Sequence, residues 1–356
     1  MYGFSRTYVK AMGRLRFNVP LKIPVSFFKR NEKNVAIIGC GQFAFATIGF
    51  FLRKRLGNCI YGVYDIDFEN AASFTQYYGG KVFDDVDKLI SEEKVEYVFI
   101  ASNHATHSDY AVRALRSNKV VYLEKPISVD HNQFENLMDH CIESKLFVGY
   151  NRPFSPAIRT IVSELHRNPR TPMTLNFFIS GHKIPEGNWY RNPEEGTRIC
   201  GNIGHWIDVT IHLLNQIGLP ERLTVTLQIS SDREIDDNLN LTFVSENEDL
   251  ITIILTSRTE PFEGINETIN LQHGDVIAKI DDFRRLVIWK SDQLIKKRYF
   301  RKDVGHENAI SQPFDAKNRR DFNEIKISTL LMLAIKDALL DGKKEFVFTV
   351  GEKGMA

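Results

Sequence analysis

Four cysteines in 356 residues, Cys40, Cys59, Cys141 and Cys200, are too few and too scattered for a disulfide framework. None stands in a C-x-x-C pair, which excludes zinc ribbons and thiol redox motifs. An excess of one charge is also missing: 46 Lys and Arg face 45 Asp and Glu, so nothing global points to nucleic acid. No apolar run approaches the roughly 20 residues of a membrane span. No hydrophobic signal-peptide core follows the N-terminus, and the expected location is the cytoplasm. Neither internal repeats nor low-complexity tracts are apparent. The length suggests two domains, each able to bury a core.

The balance of charge does not hold locally. In residues 1–33, Arg6, Lys10, Arg14, Arg16, Lys22, Lys29, Arg30 and Lys33 face a single acid, Glu32, with apolar residues such as Phe4, Tyr8, Met12 and Leu15 interleaved. Two readings stand open: a docking arm or peripheral anchor on an anionic membrane, and an extension that is poorly ordered or packed on a neighbouring subunit. Pro20 and Pro24 break any long helix and favour the second.

The most informative stretch is Val35–Ala44. An apolar run to Ile38 is followed by Gly39, Gly41 and Ala44 in a G-x-G-x-x-A pattern, and then by a helix-like segment, residues 42–55. This strand, turn and helix is the context a dinucleotide fingerprint requires. Gly39 makes the tight turn, Gly41 leaves the backbone open to a pyrophosphate, and Ala44 lets the helix pack closely. The helix start, with Gln42 and Phe43, offers free N–H groups to phosphate. Asp65 ends a second strand about twenty residues on, where an acid would hold the adenosine ribose hydroxyls and repel a 2′-phosphate. That favours NAD over NADP. Asp67 is the better N-cap for the next helix, which leaves Asp65 for the ribose.

Strand-like segments (34–38, 59–64, 81–83, 97–101, 120–123, 146–148) alternate with helical ones (42–55, 68–78, 85–92, 106–117, 130–144) up to about residue 150. This is the pattern of a doubly wound parallel sheet, an α/β Rossmann domain over 34–150. From 151 to the end the order changes. Helices at 154–166, 202–216 and 319–341 accompany strands at 173–180, 222–230, 238–246, 249–257, 266–272, 275–280, 285–290 and 297–300. Strands without intervening helices predict an α+β domain with a mainly antiparallel open sheet, suited to substrate binding and to oligomerisation.

Chemistry concentrates after strand 120–123, in Glu124-Lys125-Pro126. Ligands of an open parallel sheet sit at the carboxyl ends of its strands. A lysine there, beside a cationic nicotinamide, would have a lowered pKa suited to taking a proton from an alcohol. Pro126 can hold it through a cis bond or fixed turn. Ala101-Ser102-Asn103-His104-Ala105-Thr106-His107 follows the fourth strand, and Gly149-Tyr150-Asn151-Arg152-Pro153-Phe154-Ser155-Pro156 follows the sixth.

Together these motifs resemble the glucose–fructose oxidoreductase/inositol dehydrogenase family (Gfo/Idh/MocA), closely over 34–156 and more loosely to the end of the chain. The resemblance implies an NAD(P)-dependent oxidoreductase acting on CH–OH groups of a sugar or nucleotide sugar. It places Ser102, Asn103 and His104 on the cofactor's nicotinamide side, with Glu124 and Lys125. His107 reads as a helix-start residue. The family's second signature lies at Gly201-Asn202-Ile203-Gly204-His205-Trp206-Ile207-Asp208. Many members carry an aspartate four residues before the histidine. Here that position is Gly201, similar to a subgroup in surface-polysaccharide and sugar-nucleotide metabolism. Lys125 and His205 remain as the acid/base pair, with their roles open.

Tyr150, Arg152, Trp189, Arg198, Asn202 and Asp208 are the substrate-side candidates. Arg suits phosphate by its planar fork, and an aromatic platform suits a sugar. Trp189 with Tyr190 can equally be an interface cluster. His205, Asp208 and His212 fall at helical spacing, but the resemblance implies no metal. It also implies a homodimer or tetramer. Two further activities belong to the same resemblance: a glycosidase that uses NAD transiently, and a catalytically silent NAD-binding regulator.

Overall fold

A computed structural model describes residues 4–15, 32–165, 170–231, 233–261 and 264–351. The chain divides into two compact units. One runs up to Tyr150 and takes back His306–Arg320; the other comprises Asn151–Gly305 and the chain from Asp321 onward. The return of His306–Arg320 to the first unit departs from the single boundary expected at 150/151. Gln312 ties the returning segment down, its amide donating to the Val148 carbonyl at 2.9 Å.

The first unit is built on six parallel strands: β1 (Val35–Ile38), β2 (Ile60–Tyr64), β3 (Lys81–Val82), β4 (Tyr97–Ile100), β5 (Val120–Leu123) and β6 (Leu146–Val148). Their order is β3-β2-β1-β4-β5-β6, the doubly wound order with its switch point between β1 and β4. β1 is buried at every position, as its unbroken apolar run requires. Its helices up to Tyr150 are α1 (Phe4–Leu15), α2 (Ala44–Leu56), α3 (Phe68–Tyr78), α4 (Val86–Ser91), α5 (His107–Arg116) and α6 (His131–Asp139), and the returning segment adds the short helix His306–Ile310. Asp67 caps α3 by accepting from Glu69 N, as expected. The first turns of α2, Ala44–Gly49, are wound as a π-helix. Gly49 closes this turn against a neighbour, since an added Cβ would lie 2.6 Å from the Tyr78 ring. Tyr78 reaches across α2 and donates its hydroxyl to the Phe45 carbonyl at 2.6 Å.

Residues 4–15 are not a loose extension: they form a helix packed on the first unit. Val9 is buried among Phe45, Phe51, Tyr77 and Tyr78, with Tyr8 and Met12 packed beside it. Arg6 lies over the Phe51 ring, 4.8 Å from its centroid. The apolar face of α1 is therefore turned to protein, and Ser5, Thr7, Ala11 and Arg14 face outward. The rest of the arm, residues 16–31, lies outside the described residues. Val9→Asp places a carboxylate in this core and should cost at least about 2 kcal/mol of helix docking. The expected result is rapid tryptic cleavage after Arg6, Lys10 and Arg14 while the remaining fold stays resistant.

The second unit carries nine strands: β7 (Met173–Ser180), β8 (Arg222–Ile229), β9 (Leu239–Ser245), β10 (Leu250–Thr256), β11 (Asn266–His273), β12 (Val276–Asp281), β13 (Arg285–Lys290), β14 (Gln293–Arg298) and β15 (Glu345–Thr349). The order is β14-β13-β12-β11-β7-β10-β9-β8-β15, antiparallel apart from β7 with β10. The last strand, β15, was not anticipated, and β14 starts earlier than its expected 297–300. Helices α7 (Pro156–Leu165), α8 (Gly204–Asn215) and α9 (Phe322–Leu340) complete the unit. The sheet alternates: Met173, Leu175, Phe177 and Ile179 of β7 are buried, whereas Phe178, Val244, Leu250, Ile277 and Trp289 are 43–47 % exposed. No helix among the described residues is long and apolar enough to cross a membrane.

Candidate functional site

At the end of β1, Gly39 adopts φ +83°, which only glycine enters freely. An added Cβ would also lie 2.5 Å from the Ala101 carbonyl after β4. Gly41 differs: its Cβ position points into open space, with nothing within 4 Å. Ala44 is fully buried. The turn is thus packed on its inner side and open above its second glycine, a cradle that fits a pyrophosphate. Asp65 stands beside it. One carboxylate oxygen accepts from Cys40 N at 2.6 Å and the other from Asp67 N at 2.8 Å. Gln42 and Phe43 are exposed at the start of α2. The Gln42 amide donates to the Lys10 carbonyl of α1 at 3.1 Å, so the N-terminal helix braces this turn.

His107 clamps the loop after β4 against the turn after β5, the single N–H of its neutral ring donating to one of two facing carbonyls. Its two ring nitrogens lie 2.7 Å from the Pro126 carbonyl and 3.0 Å from the Ser102 carbonyl. His104 is also buried, its ring 5.8 Å from that of His107, while Asn103 is exposed. Ser102 accepts from the Thr106 hydroxyl at 2.8 Å. The Lys125–Pro126 peptide is cis, one of the two arrangements expected. Glu124 is buried, accepts from the Tyr122 hydroxyl at 2.9 Å and receives Lys125 N at 3.3 Å. Burial raises its pKa, and the Lys125 charge, the Tyr122 hydroxyl and Lys125 N offset only part of that. Gly149 makes room for this carboxyl, since a Cβ there would lie 2.7 Å from it.

His107 makes this clamp sensitive to acid. Burial is the largest cause of a pKa lowered from 6.5 to about 4; the carbonyls of Pro126 and Ser102 oppose it and Lys125 adds to it. The unfolded chain takes up this proton near pH 6.5, and the native state resists it until about pH 4. Stability should therefore fall as pH drops through that window, by about 3 kcal/mol when complete. Denaturant unfolding at several pH values checks this: His107→Gln should show a shallower acid loss than the parent chain.

In the second unit, Gly201 and Asn202 lie in a π-helical turn, Ile199–Ile203, that runs into α8, where His205 and Asp208 sit. Asp208 is fully buried. His212 faces Glu324 of α9 at 2.9 Å. Among the described residues, no three His, Cys, Asp or Glu side chains cluster to hold a metal ion.

Arg198 is 1 % exposed, donating to Asp237 at 2.8 Å and to Asn202 Oδ1 at 3.2 Å. Arg191 joins the same carboxylate at 2.9 Å. Burial alone would raise the Asp237 pKa, but hydrogen bonds from Arg191 and Arg198 prevail and leave it low. Arg198 thus braces the loop ahead of α8 rather than offering a surface arginine. Arg152 needs a similar correction. Its fork is closed on Glu267 of β11, 2.7 and 2.9 Å away, and it stacks 4.8 Å over the Trp206 ring. It is not free for phosphate. Tyr150 is buried, and Trp189 is 40 % exposed with a face toward solvent.

Sequence reasoning missed Glu267 altogether, although a signal was present. It shares the buried, every-second-residue phase of β11 with Ile269, Leu271 and His273. A charge on that phase needs a buried partner. It also missed the clamp role of His107, for which the H-x-x-H spacing was the only hint. Lys125 belongs to the first unit and His205 to the second.

Comparison with known proteins agrees with this layout. The family model described as "Oxidoreductase family, NAD-binding Rossmann fold" matches residues 33–151. Glucose-6-phosphate 3-dehydrogenase of Bacillus subtilis is 26 % identical over 190 residues, covering 52 % of this chain and 53 % of that protein. An inositol 2-dehydrogenase of Pseudomonas savastanoi is 27 % identical, over 38 % of this chain and 46 % of its own. The alignment therefore spans about half the length of these curated relatives. Among solved structures, a 3-ketoreductase from Actinomadura kijaniata in complex with NADP and TDP-benzene superposes with TM-score 0.69 at 16 % identity, covering 88 % of this chain and 98 % of that one. A putative myo-inositol dehydrogenase from Sinorhizobium meliloti gives TM-score 0.69 at 16 % identity, over 90 % and 100 %. These likenesses establish the fold of both units.

Proposed function

We propose, since residues 33–151 belong to the Gfo/Idh/MocA family of oxidoreductases, that this protein is an NAD-dependent dehydrogenase or reductase. Its substrate is a secondary alcohol, or the matching ketone, of a sugar or nucleotide sugar, in the making of a modified or surface-polysaccharide sugar. The observation that carries this reading is the turn after β5. Lys125 follows a buried, hydrogen-bonded Glu124 and precedes a cis proline, in a turn clamped by His107 to the loop after β4. This supports the reading because the backbone of Lys125 is held at the carboxyl end of β5, the strand beside β4, and such sheets bind ligands at their carboxyl ends.

The open cradle at Gly41 fits a dinucleotide, and Gly39, Gly41, Gln42, Phe43 and Ala44 would hold its phosphates. When bound, the nicotinamide supplies or accepts hydride at the carbinol carbon. Asp65, fixed beside the turn by Cys40 N and Asp67 N, would hold the ribose hydroxyls and oppose a 2′-phosphate. Ser102, Asn103, His104 and Glu124 line the nicotinamide side. Lys125 and His205 take or return the hydroxyl proton. Asn202, with Asp208 behind it and Trp189 in the preceding loop, would orient the neighbouring hydroxyls. The exposed apolar face of the nine-stranded sheet, with Phe178, Val244 and Leu250, supports a homodimer or homotetramer.

The test is incubation of the purified protein with NAD and a panel of sugars: myo-inositol, glucose 6-phosphate and nucleotide sugars. Growth of the reduced-nicotinamide absorbance with one of them is the expected result. Release of free sugar without net reduction would replace this reading with the glycosidase. NAD binding without turnover across the panel would replace it with the silent regulator.

A further inference from the structure

We propose that Tyr190 is a hydrogen-bonding residue of the substrate site, its hydroxyl taking the place that a side chain at position 201 would hold. The inference rests on the functional reading above, and all the residues it uses lie in the second unit. Gly201 and His205 are four residues apart on one continuous helical run, Ile199–Ile203 followed by α8. A side chain at 201 would share the face of His205, one turn earlier. Gly201 has none, and a Cβ built there would fall on the Tyr190 phenol, closest of all to its hydroxyl. The loop ahead of α8 thus delivers a hydroxyl to the place that the helix leaves empty.

The delivery is built rather than incidental. Tyr190 sits in a short 3-10 turn, Trp189–Arg191, which Asn188 caps by accepting Tyr190 N at 3.1 Å. Arg191 ties the same turn to Asp237 and to Glu234, at 2.9 and 2.8 Å. Trp189 lies against Tyr190 with ring centroids 5.1 Å apart. Burial is the largest influence on the phenol and raises its pKa; the Arg198 charge opposes this, while Cys200, Asp236 and Glu195 add to it. The hydroxyl stays protonated at neutral pH.

That changes what the site offers. An ionised aspartate at 201 could only accept from a substrate hydroxyl and would add a negative charge. A neutral phenol both donates and accepts. It suits an oxygen that is a carbonyl in one state and a hydroxyl in the other, and it does not repel a phosphorylated sugar.

Calorimetric titration of the wild type and Tyr190→Phe with myo-inositol, glucose 6-phosphate and TDP-glucose, each without cofactor, tests this alongside turnover with NAD. Phenylalanine keeps the ring against Gly201 and removes only the hydroxyl. The expected result is about tenfold weaker binding of whichever sugar the wild type binds, the loss of one hydrogen bond, at an unchanged melting temperature. Gly201→Ala, which displaces the phenol without deleting it, should weaken binding in the same way. Equal binding and turnover in Tyr190→Phe and an active wild type would reduce Tyr190 to packing and leave the proposed function standing. A wild type that neither binds nor turns over any of the three would overturn both.

Discussion

Lys125→Ala should lower kcat/KM by about a thousandfold, within the range by which a positioned acid or base accelerates proton transfer. The lysine follows a carboxyl that is itself buried, bonded to Tyr122 and given room only by Gly149, so the turn is fixed before any substrate arrives. Removing the amine leaves that scaffold intact. NAD affinity, which the proposal assigns to the glycine turn and Asp65, should change by less than about threefold, a fraction of 1.4 kcal/mol. Lys125→Arg should be nearly as slow, because a guanidinium keeps the charge but cannot release its proton. The measurement is steady-state turnover with the sugar identified in the panel, alongside NAD titration by fluorescence. Turnover within tenfold of wild type would assign the proton transfer to His205 alone.

Arg152→Ala should destabilise the second unit by about 3–5 kcal/mol, the cost of leaving one buried charge without its partner. Side chains of the pair are 6 % and 2 % exposed, so water cannot readily replace the arginine. Glu267 would keep only the Trp206 indole, which donates at 2.8 Å. Arg152→Lys should recover little, since a single ammonium cannot close both oxygens and loses the stack on Trp206. The double change Arg152→Met with Glu267→Leu should recover most of the loss, because it removes both charges together. Denaturant unfolding of the four proteins measures this. A loss below about 1 kcal/mol in Arg152→Ala would mean that the carboxyl protonates or reaches water at little cost.

The parallel sheet of the first unit was legible strand by strand. Its apolar runs are buried on both faces and separated by helices, and β5 and β6 fall where they were expected. Elements whose register depends on partners were less legible. β14 carries Ile295 among Lys296, Lys297 and Arg298, a charged edge whose strand bounds come from pairing with β13. β15 follows a long helix and, among the described residues, pairs with β8 alone. The π-helical start of α2 was not read from its own residues, and the Phe45 carbonyl within it is bonded by Tyr78, 33 positions away.

The candidate site divides in the same way. By itself the sequence determined the glycine turn and the strand-end positions of Asp65 and of Lys125 with its proline, because each depends on residue type at a fixed short spacing; the acid/base roles of Lys125 and His205 came from the family resemblance and remain part of the proposal. Only the tertiary structure decided which charged groups are open to a ligand. It closed Arg152 on Glu267 and Arg198 on Asp237, across 115 and 39 positions of chain. It made His107 a clamp and set α1 against the glycine turn. It also brought the Tyr190 hydroxyl to the side of Gly201. The physical reason is common to all of these. A local motif specifies backbone conformation, but whether a polar side chain is available depends on which distant partner has already satisfied it.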